Sequence, residues 1–199
     1  MWVVKLGGSL NNDPLLPEWL ELLAKLGGGR VTIVCGGGAF ADEVRRAQAH
    51  WHFDDLAAHN MAVLAMAQSA YLAHGLAPSL RLAASQAEIR HALHGGATAL
   101  WLPFAKCKDK PGADTNWDVS ADSLALELAR ELNAERLVIV KACKLPFGAS
   151  LADLSGAGIL DRRFASAAAG AACAIDVIQR TELAQMRSLL LGEFRGVER

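Results

Sequence analysis

Short apolar runs alternate with longer amphipathic or alanine-rich stretches along most of this chain. Five of the runs contain no regular alternation of polar residues, which is typical of parallel strands buried on both faces. These predicted strands cover residues 2–6, 31–35, 99–104, 136–141 and 174–178. Strands separated by helices favour right-handed crossovers. The pattern therefore predicts an α/β fold with a mostly parallel, open sheet between layers of helices.

End signals delimit the helices between these strands. Asp13 followed by Pro14 predicts the start of a helix that reaches Leu26. Ser85, with Glu88 three residues later, predicts a helix that opens with a capping box. The other predicted helices cover residues 55–74, 120–132 and 181–191. Because no repeat or low-complexity linker interrupts the pattern, we expect one domain over residues 1–199.

Composition and charge narrow the possible functions. The 199 residues carry a formal net charge of -1, and 52% of them are hydrophobic. This balance excludes a disordered chain and a strongly basic nucleic-acid-binding protein. No apolar run reaches the roughly 18–20 residues that span a bilayer, and the N-terminus begins with a strand pattern instead of a leader. We expect a cytoplasmic protein that has neither nucleic acid nor a membrane as partner.

Glycine-rich turns follow the first two predicted strands. Ligands of open parallel sheets bind beyond the carboxyl ends of the strands, where such turns meet. Backbone N–H groups without neighbouring side chains can approach phosphate or carboxylate oxygens closely. The predicted anion-binding residues are Gly7, Gly8, Ser9, Gly36, Gly37 and Gly38. Tight turns that bind no ligand are the alternative.

The second turn also matches a dinucleotide-binding fingerprint loosely. Gly36-x-Gly38-x-x-Ala41 opens a helix, which keeps a nicotinamide or flavin enzyme as a competing hypothesis. That fingerprint needs an acidic residue at the end of the next strand, about 20 residues further on. Asp54 and Asp55 fall near that distance, but no predicted strand leads to them. A Walker A pattern is absent from the chain.

Two lysines and one aspartate form a plausible phosphoryl-transfer group. Lys5 and Lys141 end two predicted strands, and Asp122 lies in the first turn of a predicted helix between them. Phosphoryl transfer needs cations beside the migrating group and an anion that holds those cations in place. A helix-start carboxylate and a solvent-exposed lysine are the structural alternatives for Asp122 and Lys141.

The order of these motifs resembles the amino acid kinase superfamily, which contains the aspartate, acetylglutamate, glutamate and uridylate kinases. The motifs are VVKLGGSL at residues 3–10, IVCGGGAFADEVR at 33–45 and DVSADSLALELARELNAERLVIVK at 118–141. The segment LLLGEFRGV at 189–197 is similar to the closing strand of the family, without its threonine. The resemblance implies a three-layer αβα sandwich that uses ATP and Mg²⁺. The acceptor would bind to residues 1–115 and the nucleotide to residues 116–199.

The resemblance also implies roles for individual residues. Lys5 would contact the transferring phosphoryl group, and Gly7, Gly8 and Ser9 would bind phosphate oxygens. Gly36 to Gly38 would hold the anionic group of the acceptor. Asp122 would orient Lys5 and a second lysine, for which Lys141 is the candidate, and would help to place Mg²⁺; no residue is assigned as a metal ligand. His59 and Asn60, on a helix that borders the acceptor in this family, would contact substrate. Homo-oligomers are also typical of the family.

Within the superfamily, the short chain and the run Trp-Asp-Val-Ser-x-Asp-Ser at residues 117–123 are similar to the small kinases of methanofuran biosynthesis. That similarity implies phosphorylation of [5-(aminomethyl)furan-3-yl]methyl phosphate to its diphosphate. The chain departs from the family after residue 141, where residues 142–146 replace an Asp-Val-x-Gly turn that usually lines the nucleotide pocket. The alternatives are a kinase with a carboxylate acceptor and a non-catalytic nucleotide-binding or storage protein.

One long polar loop carries a further hypothesis. Residues 105–118 form a longer connection than is usual, and such loops are often lids. Lys106, Lys108 and Lys110 would reach over a phosphorylated acceptor in that case, whereas a solvated basic loop is the alternative.

Overall fold

The computed structural model of the protein describes residues 1–112, 115–117 and 120–193. Within these residues, six strands form one parallel sheet in the order β3-β4-β2-β1-β5-β6. The strands are β1 (Trp2–Leu6), β2 (Val31–Cys35), β3 (Arg81–Ala83), β4 (Ala99–Trp101), β5 (Arg136–Lys141) and β6 (Ala174–Gln179). The predicted α/β fold with a parallel sheet is therefore confirmed.

Helices cover both faces of this sheet. The α-helices of the described residues are α1 (Leu16–Leu26), α2 (Gly38–Trp51), α3 (Asp55–Leu76), α4 (Gln86–His94), α5 (Ala121–Glu131), α6 (Leu151–Gly156), α7 (Phe164–Ala168) and α8 (Leu183–Leu191). Short 3₁₀ helices cover Gly8–Asn12 and Phe104–Lys106. No helix in the described part of the chain is long and apolar enough to cross a bilayer.

Alternate side chains of each central strand enter different cores. Val3 of β1 packs with α4, α5, α6 and α7 on one face, whereas Val4 packs with α1 and α8 on the other. The strands are buried on both faces, which explains their uninterrupted apolar sequences. Helix α3 is apolar almost all round because it contributes to both cores, with Val63 and Met66 in the first and Ala70 in the second.

A topological switch lies between β1 and β5. The chain leaves β1 towards α1 on one face of the sheet and leaves β5 towards α6 on the other. Connections that diverge in this way open a crevice at the carboxyl ends of the two strands, which is the usual ligand site of an open α/β sheet. The same crevice lies next to the glycine turn after β1.

Several predicted boundaries were wrong for identifiable reasons. Helix α1 begins at Leu16, because the Asp13 carboxylate accepts a hydrogen bond from the Leu15 N–H and pairs with Arg180. The predicted strand 99–104 ends at Trp101, because Pro103 has no N–H and leads into a 3₁₀ turn. Helix α3 continues through Gly75 to Leu76.

Three short elements were missed and one cap was confirmed. Strand β3 has three residues, and helices α6 and α7 have six and five, which is too short for a clear hydrophobic period. Ser85 caps α4 by accepting a hydrogen bond from the Glu88 N–H, while Glu88 reaches back to the N–H of Ala84. Three large apolar side chains of α3 are exposed, namely Met61, Leu64 and Tyr71. The expected homo-oligomer stays a prediction.

Candidate active site

Two lysines end neighbouring strands at the topological switch. Lys5 lies on the same face of β1 as Val3, and Lys141 lies on the same face of β5 as Leu137 and Ile139, because side chains two residues apart in a strand point the same way. Lys5 is paired with Ile139 in the sheet, so Lys141 lies one side-chain repeat nearer to the carboxyl edge. The strand register therefore presents both amines to helix α5.

Asp122 joins the two lysines. It lies in the first turn of α5 and is 2% exposed. Its Oδ1 atom is 2.7 Å from Nζ of Lys5, and its Oδ2 atom accepts a hydrogen bond of 2.6 Å from Nζ of Lys141. Two ammonium groups and one carboxylate leave a net positive charge in a nearly buried site. We call Lys5, Asp122 and Lys141 the charged triad.

The charges of the triad shift one another's proton affinities. Burial alone would raise the pKa of Asp122, but the ammonium groups of Lys5 and Lys141 hold that pKa below its usual range. Burial and repulsion by Lys5 lower the pKa of Lys141, although the carboxylates of Asp122 and Asp161 oppose that shift. Asp122 is therefore ionised at neutral pH, and Lys141 loses its proton at a lower pH than an ordinary lysine does.

Asp161 positions the helix that carries Asp122. Its carboxylate accepts hydrogen bonds from the N–H groups of Ser120 (2.9 Å) and Ser123 (3.0 Å) and from both serine hydroxyls. It therefore caps α5, because the Ser120 side chain makes no capping hydrogen bond of its own. The sequence analysis missed Asp161 because it lies 38 residues after Ser123, and no local pattern connects the two.

The two glycine turns pack directly against each other. A Cβ atom on Gly8 would lie 2.3 Å from the Gly38 nitrogen, and one on Gly36 would lie 2.5 Å from the Gly8 nitrogen. Gly38 also has a φ of +54°. Only glycine permits this approach. The turns are thus one structural unit, and this close packing is a second reason for their composition beside any binding of anions.

Four of the six predicted anion-binding residues line a cavity, and two do not. The cavity has a volume of about 200 Å³, and its lining includes Gly8, Ser9, Gly37 and Gly38 together with Lys5. We call it the glycine-turn cavity.

The other two glycines belong to the sheet. The N–H of Gly7 donates to the Val140 carbonyl, and the N–H of Gly36 donates to the Leu6 carbonyl, both at 2.9 Å. These N–H groups extend the ladders around β1. Both N–H groups are therefore already used within the sheet, and their hydrogen bonds do not support the predicted contact of Gly7 and Gly36 with a ligand.

His59 and Asn60 hold the long loop. The Nε2 atom of His59 lies 3.0 Å from the Lys106 carbonyl, and His59 also lines the glycine-turn cavity. The side-chain amide of Asn60 donates to the Lys108 carbonyl at 2.9 Å and accepts from the Lys108 N–H at 2.8 Å. Asn60 thus anchors the loop on α3, and its direct contact with substrate stays a prediction.

One of the three loop lysines, Lys106, does not take the position predicted for a lid. The Lys106 ammonium donates to Glu127 (2.8 Å) and Glu131 (2.6 Å), both on α5. Burial by itself lowers the pKa of Lys106, but these two carboxylates together raise it. Lys106 is therefore committed to α5, and the lid hypothesis remains for Lys108 and Lys110. Residues 113, 114, 118 and 119 of this region lie outside the described residues.

A stacked pair that the sequence analysis missed lines the outer part of the cavity. The Arg45 guanidinium lies 4.3 Å from the centre of the Trp117 ring and donates to Asp42 at 2.9 Å. The Trp117 ring N–H donates to the Gln48 side chain, which in turn donates to Asp55 at 2.8 Å. The helical spacing of Gly38, Asp42 and Arg45 was the available signal, because residues four and seven positions apart share a face.

A second opening lies on the other side of the triad. It is a groove of about 830 Å³ along β6, lined by Leu145, Pro146, Ile175, Val177 and Gln179 among others. We call it the β6 groove. Gln179 is the sheet partner of Lys141, so the groove begins beside the triad. The unusual turn at residues 142–146 contributes part of its wall.

The site is compatible with a magnesium ion whose ligands come mainly from the phosphate groups of a bound nucleotide. Within the described part of the chain, no group of three or more His, Cys, Asp or Glu residues comes together. The Asp122 oxygens face two lysines, and those of Asp161 accept bonds from two serines. Mg²⁺ usually keeps several waters and binds one or two carboxylates plus substrate phosphates. Nucleotide phosphates would therefore supply most of its ligands here.

Comparisons with known proteins identify the family of this chain. The model of the amino acid kinase family matches residues 1–143. A curated relative, the [5-(aminomethyl)furan-3-yl]methyl phosphate kinase of Methanocaldococcus jannaschii, is 27% identical over 143 residues. That match covers 70% of this chain and 64% of the relative, so the chain spans less than two thirds of that protein.

Solved structures share the fold at low sequence identity. The uridylate kinase of Archaeoglobus fulgidus has a TM-score of 0.70 and 16% identity, with 96% of this chain and 95% of that chain covered. An isopentenyl phosphate kinase in a substrate complex has a TM-score of 0.64 and 12% identity, with 95% of each chain covered. At these identities the likeness shows the three-layer fold and leaves the acceptor open.

Proposed function

The chain belongs to the amino acid kinase family, and from that membership we propose that it transfers the γ-phosphoryl group of ATP to a small phosphorylated acceptor. The observation that carries this proposal is the charged triad at the topological switch. Asp122 bridges Lys5 and Lys141 at 2.7 and 2.6 Å, and the three groups keep a net positive charge. Fixed cations of this kind stabilise a migrating phosphoryl group without reorganisation during the reaction.

The triad lies between two openings, as a two-substrate transfer requires. Lys5 lines the glycine-turn cavity, and Lys141 is the sheet neighbour of Gln179 in the β6 groove. We assign the acceptor to the glycine-turn cavity and the nucleotide to the β6 groove. In this arrangement Lys5 contacts the migrating phosphoryl group, and Lys141 contacts the phosphates that become ADP. Asp122 holds both amines in place.

The chemistry needs no covalent intermediate on the protein. A phosphate oxygen of the acceptor attacks the γ-phosphorus of ATP, a new P–O bond forms, and the bond between the γ-phosphorus and the β,γ-bridging oxygen breaks. ADP leaves with that bond pair, and the acceptor becomes a diphosphate. The backbone around Gly8 and Gly38 receives the acceptor phosphate, and Mg²⁺, held mainly by the nucleotide phosphates, would neutralise part of their charge.

The proposed acceptor is [5-(aminomethyl)furan-3-yl]methyl phosphate. The name of the relative from Methanocaldococcus jannaschii carries this substrate. In this chain, a cavity of about 200 Å³ with a Trp117 wall has the size and shape for a small flat ring. Its inner end, at Lys5 and the glycine turns, suits a phosphate.

Phosphorylation of this acceptor is tested directly. The protein is incubated with Mg-ATP and the furan phosphate, and ³¹P NMR follows the appearance of a diphosphate doublet while a linked assay follows ADP. Formation of one diphosphate per ADP supports the proposal. ADP release without the doublet, or no reaction at all, contradicts this acceptor.

Two alternatives are separated by further acceptors. With N-acetylglutamate or aspartate, an acyl phosphate that hydroxylamine traps would indicate a carboxylate acceptor. Binding of ATP without turnover of any acceptor would indicate a non-catalytic protein.

The nicotinamide hypothesis has lost its structural basis. Helix α2 ends at Trp51 and α3 begins at Asp55, so no strand delivers an acidic residue to the fingerprint. Asp54 caps α3 instead, where its side chain accepts from the Ala57 N–H. A thermal-shift comparison checks this point. A ligand at 100 times its Kd stabilises by about 2.7 kcal/mol, or roughly 5–10 °C for a chain of this size, and we expect that shift with Mg-ATP and not with NADH.

A further inference from the structure

The glycine-turn cavity carries opposite charges at its two ends. Lys5 and the glycine turns form the inner end, and the triad behind them has a net charge of +1 from two lysines and Asp122. Asp42, Arg45 and Asp55 lie in the lining of the outer end, with a net charge of -1. An acceptor that carries only an anionic group would make no favourable ion pair with the acidic outer end.

The wall between the two ends is apolar. Ala58, Ala62, Val63 and Met66 of α3 line it on one side, and the Trp117 ring lies near its outer end. A flat ring without charge fits such a wall, with an anionic group towards Lys5 and a cationic group towards Asp42. The arrangement therefore has three sections: cationic, apolar and acidic.

We infer that Asp42, supported by Asp55, binds a positively charged group at the far end of the acceptor and thereby sets the acceptor specificity. This inference rests on the proposed function for the identity of the reaction, and it adds the part of the substrate that the outer end selects. The ligand class is a small aromatic phosphate that carries an ammonium group opposite its phosphate.

The position of Asp42 along α2 suits this role. Helix α2 begins at Gly38 beside the inner end, and Asp42 lies four residues later, about 6 Å along the axis at 1.5 Å per residue. A furan ring with a one-carbon arm on each side has a comparable span. Asp55 lies further out, where Gln48 joins it to Trp117.

The Asp42 carboxylate is accessible to a ligand. Its ion pair with Arg45 joins two side chains that are 66% and 49% exposed. Exposed pairs of this kind contribute little to stability, so an ammonium group that enters the cavity can share or replace Arg45. The stacking of Arg45 on Trp117 keeps the guanidinium beside the ring when that happens.

The test compares two ligands that differ by one ammonium group. Calorimetry measures the Kd of [5-(aminomethyl)furan-3-yl]methyl phosphate and of (5-methylfuran-3-yl)methyl phosphate, which lacks the ammonium group. We expect the unmodified protein to prefer the first compound by about two- to fivefold, the range of an exposed ion pair. Asp42→Asn should remove the preference by weakening only the ammonium compound.

Two further variants make the test specific. Glu43→Gln is the matched control, because Glu43 pairs with Arg46 on the same helix and lies outside the cavity lining; it should keep the preference. Arg45→Gln should keep or strengthen binding of the ammonium compound, since it removes the competitor for Asp42. Weaker binding of both compounds in Arg45→Gln would show that the outer end selects an anion, and would overturn the inference.

Different results would contradict this inference and the proposed function. If the unmodified protein binds both compounds equally, or if Asp42→Asn weakens both equally, the inference is wrong even when both are phosphorylated. If the preference exists and depends on Asp42 but no diphosphate forms, the inference stands and the proposed reaction is wrong.

Discussion

The two sides of Asp122 are built in different ways. On the side of Lys5, two glycine turns pack backbone to backbone, and long helices α2 and α3 form the cavity wall. On the side of Lys141, helices α6 and α7 have only six and five residues, and carboxylate caps hold the segment together. The lysine side chains follow this division, since Lys5 is 5% exposed and Lys141 is 13% exposed.

The two sides differ in the substitutions that they tolerate. A backbone contact that excludes a Cβ atom leaves no alternative residue, so the Lys5 side depends on glycine at fixed positions. A carboxylate cap can be replaced by a neutral acceptor at a moderate cost of about 1 kcal/mol. We therefore expect changes on the Lys5 side to be severe and changes on the Lys141 side to be graded.

The largest effect is expected for Lys5→Met, which keeps the aliphatic stem and removes the ammonium group. Loss of a preorganised charge beside the migrating phosphoryl group should reduce kcat on the order of 10²–10³-fold or more. Steady-state kinetics with Mg-ATP and the furan phosphate measures this, and Lys25→Met, at an exposed lysine of α1, is the control. Turnover within threefold of the unmodified protein would remove Lys5 from the transfer step.

The variants Gly8→Ala and Gly156→Ala compare the two sides by their effect on the free energy of unfolding. The new Cβ at position 8 would lie 2.3 Å from the Gly38 nitrogen, whereas nothing lies within 4 Å of one at position 156. Gly8→Ala should lower the free energy of unfolding by about 1–3 kcal/mol or more, and Gly156→Ala should leave it unchanged or raise it by about 0.5–1 kcal/mol. Urea titrations measure both, and equal effects would contradict the comparison.

Asp161→Asn tests the positioning of α5 from the nucleotide side. The amide can accept some of the serine hydrogen bonds but loses the charge, so we expect kcat to fall about tenfold, the cost of one charge-assisted bond. Asp153→Asn is the matched control, because Asp153 caps α6 through Ser150 in the same way without holding a triad residue. An equal loss of kcat in the two variants would indicate a structural role only.

The smallest effect is a shift of the pH profile. In the proposed reaction Lys141 acts as a cation, and its pKa is lowered by burial and by Lys5. We therefore expect kcat to decline on the alkaline side at a lower pH than an ordinary lysine would give. The Asp161 carboxylate raises that pKa. Asp161→Asn should therefore move the alkaline limb to still lower pH, by a fraction of a unit, while Asp153→Asn leaves it in place. A shift to higher pH would contradict the assigned charges.

The three members of the charged triad could be proposed from the pattern of the chain alone. Lys5 and Lys141 end uninterrupted apolar runs, and Asp122 follows a helix-start signal. In a parallel sheet these positions meet at one edge, so local signals determined which residues could meet. The same reasoning selected Gly8, Ser9, Gly37 and Gly38, which line the cavity, and their contact with a ligand stays a prediction.

Other parts of the site depend on residues that are distant in sequence. Asp161 reaches Ser123 across 38 positions, and Trp117 reaches Gln48 across 69. Neither contact leaves a periodic or spacing signal in the chain. The use of the Gly7 and Gly36 N–H groups in the sheet depends likewise on how β1 pairs with its neighbours.

The sequence by itself determined the fold class, the strands around the switch and the candidates for the charged triad, because apolar periodicity and strand-end position are local properties of the chain. Only the tertiary structure decided that the two glycine turns form one unit, that Asp161 caps α5 and that the cavity has an acidic outer end. Those features arise from side chains and backbone that meet through packing of distant segments, and their geometry exists only in the folded protein.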